Sequence, residues 1–395
     1  MTNTMEKKFV FTPKLRYITY ALMVVGIIAI AIAFSMDPTR GWVNLLLNNF
    51  YFLSIAIGAS FFLALQYITQ SGWSSAFKRI PESLSMYIPI AAVFMVLLIF
   101  GMNSLYSWIQ PERYHFDEHE LHLLEHKSPY LNVTFFIVRL VLYFAVWIFM
   151  TQMLRRFSLK EDMEGGVAWF AKSEIYSKVY IFTLALTFSL ASFDWLMTLE
   201  PTWYSTIYSL KNFISAFYHG SAVIVLVVLI MHTRGYFQFI TDAHWQDFSK
   251  YVFILSIIWA YFWFSQYLLI WYANIPEETT YYVKRLSGSW EVNFYVNLVL
   301  NWLVPFLVLL PNYFARKKFI LAGVIIFVMI GHYTDLFEQV IPGTLGEYRI
   351  GLVEIGTFMG FAGLFLYIFM RTLSRASLIP ENHPLLEESL HHTGH

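Results

Sequence analysis

The sequence predicts an all-α membrane protein of about ten transmembrane helices with both termini cytoplasmic. Composition is the first reason: 58% of the 395 residues are hydrophobic, only 13% are charged, and the mean hydropathy is +0.55. A soluble domain carries about a quarter charged residues. The second reason is periodic: runs of about 20 apolar residues, the length that crosses hydrocarbon as a helix, recur along the whole chain between charged, Pro or Gly breaks. The third is the placement of Lys and Arg in the loops, which assigns an inside. The 26 Lys and Arg balance 26 Asp and Glu, so no basic stripe suggests nucleic acid, and the absence of Cys excludes disulfides, thiolate zinc sites and Cys-held clusters or haem within this chain.

The spans fall near 15–35, 46–68, 84–105, 130–153, 176–199, 210–233, 249–273, 290–312, 317–339 and 349–372. This leaves an N-terminal tail at 1–14, a membrane domain at 15–372 and a C-terminal tail at 373–395. The first run follows Lys7, Lys8, Lys14 and Arg16 but is long and has no small-residue cleavage site, so it reads as a retained helix. Arg40, Arg113, Lys127, Lys211, Lys284, Arg285 and Arg349 fall in loops on one side, and Arg139 and Lys178 fall inside spans. All other Lys and Arg lie on the opposite side, which is therefore expected to be cytoplasmic.

Ionisable residues inside hydrocarbon are costly and mark a bundle interior or a wet cavity. Arg139 lies about 14 Å in from the outer end of the fourth span at 1.5 Å per residue. Asp194 and Glu200 lie at the outer end of the fifth span, His219 in the outer half of the sixth, and Glu354 in the first turns of the tenth. In the ninth span His332, Asp335 and Glu338 recur every three residues and share one face. Arg139 and Asp194 are expected to pair. Glu200, Glu291 and Glu354 have a plainer account, as carboxylates reaching the headgroup region, with Trp195, Trp203, Tyr204 and Tyr208 as an interfacial aromatic belt. The inner half reads as almost wholly apolar, with Lys178 and His232 snorkelling to the interface and only Tyr180, Thr183, Thr187, Ser265 and Gln266 as polar relays.

Four stretches carry a family resemblance: FDWLMTLEPTWYSTIY at 193–208, FSQYLLIWYANIPEE at 264–278, HKSPYLNVTFFIVR at 126–139 and GHYTDLFEQVIPG at 331–343. Together they resemble the NrfD-like integral membrane subunits of alternative complex III, a bacterial quinol:cytochrome c oxidoreductase. The likeness is greatest to the ActF type, with the quinol-binding ActC type second. The resemblance implies two four-helix bundles, spans 2 to 5 and 6 to 9, flanked by spans 1 and 10. It implies a multi-pass subunit of the bacterial inner membrane that binds no cofactor itself. Haem c and iron–sulfur clusters are then carried by multihaem and monohaem cytochromes and an iron–sulfur protein. A second NrfD-like subunit, small membrane subunits, lipid and a terminal oxidase complete the expected partners, and quinol, expected as menaquinol, is the reductant. For the ActF type it implies a proton-transfer role without an established quinol site.

On that basis Arg139, Asp194, Glu200, His219, His332, Asp335, Glu338 and Glu354 are the expected lining of an outward-facing polar pocket. A secondary transporter, a scaffold without chemistry, and a haem b anchor using His219 and His332 are the rivals. In the loop at 114–130, His115, His119, His122 and His126 fall on one helical face. With Leu121, Leu123 and Leu124 beside them, they are expected to dock an extracytoplasmic partner in preference to holding a metal.

Overall fold

A computed structural model describes residues 8–114 and 116–392. His115, Lys7 and residues 393–395 thus lie outside the described residues. The described chain is helical with ten apolar helices long enough to cross a membrane: α1 Pro13–Met36, α2 Pro38–Ile68, α3 Arg79–Leu105, α4 Val133–Glu164, α5 Ala168–Leu199, α6 Thr206–Thr233, α7 Asp242–Ala273, α8 Trp290–Leu309, α9 Lys318–Thr344 and α10 Leu352–Leu373. These are the ten predicted spans. Several start earlier or end later than hydropathy alone suggests, because capping and buried ion pairs, which a hydropathy window scores as polar, carry them on. Asp37 shows the capping: its side chain accepts from Thr39 N at 2.9 Å and Pro38 fills the first helical position, so α1 and α2 are separated by one residue.

The helices pack as two rings of four, α2–α5 and α6–α9, joined by α2 against α6, with α1 and α10 paired outside and leaning on α2. Small residues decide where backbones touch, as expected where hydrocarbon removes the hydrophobic drive between helices. At the α1–α10 crossing Gly26 lies directly on Gly360, and Gly356 receives Ala29. At the α2–α6 crossing Gly58 faces the Ala216 carbonyl and Gly220 faces the Gly58–Ala59 backbone. α2 is the pillar of the molecule, with 78% of its apolar window buried.

Two helices are locally irregular. α3 passes through a 3-10 turn at Leu98–Gly101. α8 widens to a π-helical segment at Val299–Leu303, just before Pro305, which has no N–H to give the carbonyl one turn back. That carbonyl belongs to Asn301 and takes a hydrogen bond from Tyr218 Oη at 3.1 Å instead.

The described part of the C-terminal tail folds back across the end of both rings. Asn382 donates to the Asp162 carbonyl at 2.7 Å, Ser389 Oγ donates to the Trp73 carbonyl at 2.6 Å, His244 Nε2 meets the Ser389 carbonyl at 3.1 Å, and His392 Nε2 meets Asp247 at 2.7 Å. Trp73 and Trp245 both pack on Phe248.

A side chain at Gly58 has no space, so Gly58→Val is expected to lower stability by about 1–3 kcal/mol or more. The α9 position Gly323, where an added Cβ meets nothing within 4 Å, provides the control. Thermal unfolding in detergent should show a clear drop for Gly58→Val and little change for Gly323→Ala.

Candidate functional site

The largest buried polar cluster lies where α6, α8 and α9 meet α2. Lys211 Nζ, in the second turn of α6, donates to Asp335 Oδ1 at 2.7 Å with both side chains nearly inaccessible. Asp335 also accepts from Ser215 Oγ at 3.4 Å, from Gln339 Nε2 at 3.2 Å and from Asn297 Nδ2 at 3.2 Å. The same Asn297 amide reaches Glu338 Oε2 at 3.3 Å. Two carboxyls therefore share one amide, while the ammonium goes to Asp335. One of them has no cation of its own in the cluster.

The cluster continues inward through imidazoles. His219 Nδ1 lies 2.6 Å from the Ser215 carbonyl and Nε2 lies 2.9 Å from Asn301 Oδ1. A doubly protonated ring satisfies both oxygens outright, while a neutral ring needs the Asn301 amide turned over. Asn301 lies within the π-helical segment of α8. His332 stacks face to face on His219 at 3.9 Å and 17°, and its Nε2 meets Ser54 Oγ of α2 at 2.7 Å. Its Nδ1 is buried without a partner. The two rings thus lie against each other and not facing across a gap. Among the described residues, no group of three His, Asp or Glu side chains converges to hold a metal ion.

At the other end of this cluster Arg285 donates to Glu200 Oε1 at 2.7 Å, to the Glu338 carbonyl at 3.0 Å and to the Tyr281 carbonyl at 3.0 Å, and lies over the Tyr281 ring. Burial works against the Arg285 charge, but Glu200 and the Tyr281 ring more than offset it and hold the guanidinium pKa above its ordinary value. Trp203 stacks on Tyr281 at 4.0 Å. The expected aromatic belt is corrected here: Trp195, Trp203 and Tyr208 are buried, Trp195 against Phe144 and Trp147, and only Tyr204 is exposed.

Arg139 and Asp194 form the expected pair. It is bidentate, at 2.8 and 2.9 Å, with Tyr143 Oη adding a third donor to Asp194 at 3.0 Å. Arg139 also donates to the Tyr130 carbonyl and lies 3.9 Å from the Tyr130 ring centroid. This pair belongs to the first ring, and large aromatic side chains separate it from the histidine cluster, Phe188 and Trp195 both packing on Phe50. Glu354 is likewise removed: Arg40 clamps it at 2.8 and 2.8 Å, with Asn44 and the Gly351 N–H adding to it. Glu200 and Glu354 are thus partners of arginines, not headgroup-reaching carboxylates, whereas Glu291 is exposed. The eight residues form three sites and not one pocket.

Three cations read as loop charges, Arg40, Lys211 and Arg285, are in fact the buried counter-ions of these carboxylates. The available signal was their position within a few residues of a span end, where one more helical turn takes a cation inside. The apolar inner half is also corrected. Arg79 pairs with Glu82 at 2.8 Å and with Asp162, Lys78 pairs with Glu161, and Ser158 donates to Glu82 at 2.6 Å, all inside the α2–α5 ring. Burial disfavours the Lys78 ammonium, but Tyr67 and the nearby carboxylates of Glu161 and Glu82 hold its pKa above the usual lysine value. This inner cluster and the Arg139–Asp194 pair are separated by Trp147, which is bonded to Thr187 at 2.8 Å, and by the Ser60–Tyr180 contact at 2.7 Å.

The helix Glu118–Lys127, with a capping box between Asp117 and Glu120, carries His119, His122 and His126 of the expected four, His115 lying outside the described residues. His122 and His126 touch edge to face, and His119 lies 3.9 Å from Glu277. Leu124 is buried in this chain and Leu121 is exposed. No family model matches the chain, and no curated protein matches it.

Removing one member of a buried, bidentate pair leaves a bare charge, so Asp194→Asn is expected to cost about 3–5 kcal/mol. Arg139→Met combined with Asp194→Leu should recover most of that loss, as read by thermal unfolding. Equal damage in the single and double variants would assign Asp194 a role other than counter-ion.

Proposed function

We propose that this multi-pass membrane protein is a subunit of a respiratory quinol-oxidising electron-transfer assembly of the alternative complex III type, most similar to its ActF subunit, and that it carries a proton-transfer path opening to the extracytoplasmic side. The observation that carries the proton-transfer reading is the Lys211–Asp335–Glu338 cluster, in which two carboxyls share one amide, only Asp335 takes the ammonium, and the polar groups run on into the stacked His219–His332 pair. Carboxylate and imidazole chains of this kind relay protons inside membranes. Glu200, whose side chain keeps some exposure, stands at the mouth, with Arg285 between it and Glu338.

Arg139, Asp194 and Glu354 have a different part in this proposal. Their carboxylates are fully engaged by guanidinium groups and further donors, which suits fixed clamps holding helices in register. The redox groups belong to partner subunits, and the electron transfer they perform is not this chain's chemistry. A secondary transporter would be isolated without haem-containing partners, so co-purification separates that reading.

In the assembled complex reconstituted in vesicles, Asp335→Asn and Lys211→Met are expected to lower proton release per electron severalfold. Quinol oxidation should be slowed no more than proton release is. Unchanged turnover together with unchanged proton release in both variants would leave the scaffold reading in place.

A quinol-binding role, as in the ActC type, has one observation in its favour. A cleft of about 400 Å³ lies between α9 and α10, lined by Tyr51, Tyr333, Glu354, Phe358, Met329 and Ile330, and the Tyr51 ring packs tilted, at 33°, on His332. A photoreactive quinone should label this wall if it is a quinol site, and labelling confined to partner subunits would remove the reading.

A further inference from the structure

A pocket of about 620 Å³ opens at the end of the molecule where α7 and α9 begin, away from the histidine cluster. Its walls include Arg316, Lys317 and Lys318 from the α8–α9 turn, Trp245 and Thr241 from the start of α7, and Tyr313. Against these three cations the lining offers one carboxylate, Asp242. Among the described residues no Asp or Glu forms an ion pair with Arg316, Lys317 or Lys318, whereas the deeper Lys78, Arg79 and Lys211 are all matched.

The backbone supplies a second, independent attraction for negative charge. α9 is 27 residues long, and its N-terminus has no side-chain cap and no acidic residue in its first turn. The Leu321 N–H bonds back to the Lys317 carbonyl, so the N–H groups of Lys318, Phe319 and Ile320 are the free donors of the first turn. Asp37 caps α2 and Asn132 caps α4, whereas α5 and α6 begin, like α9, without a side-chain cap or a first-turn acid; what sets the α9 start apart is the cluster of cations around it. Here three free donors, the positive end of a long helix dipole and three unmatched cations converge on one pocket.

Its surroundings say which anion fits. Tyr313 is 69% exposed and Phe319 72% exposed, beside the cations at the end of an apolar span. Leu307 on α8, Leu310 just after its end and Ile326 on α9 add exposed apolar side chains to this side of the molecule. A soluble phosphate has no use for such a surface, whereas acyl chains do. We propose that this pocket binds the headgroup of an anionic phospholipid, its phosphate held by Arg316, Lys317, Lys318 and the α9 N-terminus and its chains lying along α8 and α9. Basic pockets between helices at the cytoplasmic face recognise anionic lipid in this way.

The test uses delipidated full-length protein given equimolar phosphatidylglycerol and phosphatidylcholine, with retained lipid read by native mass spectrometry. The protein should keep phosphatidylglycerol preferentially. The variant Arg316→Gln/Lys317→Gln/Lys318→Gln should lose that preference by about tenfold or more, and the charge-keeping variant Arg316→Lys/Lys317→Arg/Lys318→Arg should retain it. Lys317→Gln alone, a single change at an exposed side chain, should give an intermediate loss and guards against misfolding of the triple variant. An unchanged preference in the Gln variants would overturn the proposal. So would complete displacement of the lipid by glycerol 3-phosphate, which would mark a site for free phosphate.

Discussion

The close crossing of α2 on α6 is the contact on which the rest of the molecule depends. Gly58 and Gly220 let the two backbones meet, and nothing larger than hydrogen fits between them. Since α2 opens the first ring and α6 opens the second, this crossing sets the distance between the two halves. It also brings Ser54 of α2 within 2.7 Å of His332 and so closes the polar cluster of the second ring with a residue of the first. In hydrocarbon, where apolar side chains gain little by leaving lipid, such backbone proximity and the polar contacts it permits are the main sources of specificity.

Charge then follows a single rule through the interior. A buried ion is tolerated when a partner and further hydrogen bonds satisfy it, and the bidentate pairs Arg139–Asp194 and Arg40–Glu354 meet that condition completely. The Lys211–Asp335–Glu338 cluster meets it less completely, because Glu338 finds an amide and not a cation. The same rule separates fixed clamps from groups free to exchange protons. It also explains why the pocket formed by Arg316, Lys317 and Lys318 differs from the interior: Arg316 and Lys317 are exposed and Lys318 half-buried, where an external anion can complete them.

The sequence by itself determined the ten helices, because a run of apolar residues about 20 long has no other stable form in a bilayer. It also determined the pairing of Arg139 with Asp194, since an arginine so deep must find an acid, and the shared face of His332, Asp335 and Glu338, since helical period is local. Tertiary structure alone decided the rest. The reason Arg40, Lys211 and Arg285 read as loop residues is that hydropathy scores a cation the same whether it meets water or a carboxylate. Burial of Arg79, Glu82 and Glu161 depends on neighbours from three different helices and leaves no trace in any single one. Whether eight polar residues form one pocket or three is fixed by which helices touch, a property of small residues such as Gly58 and Gly220 that carry no chemistry of their own.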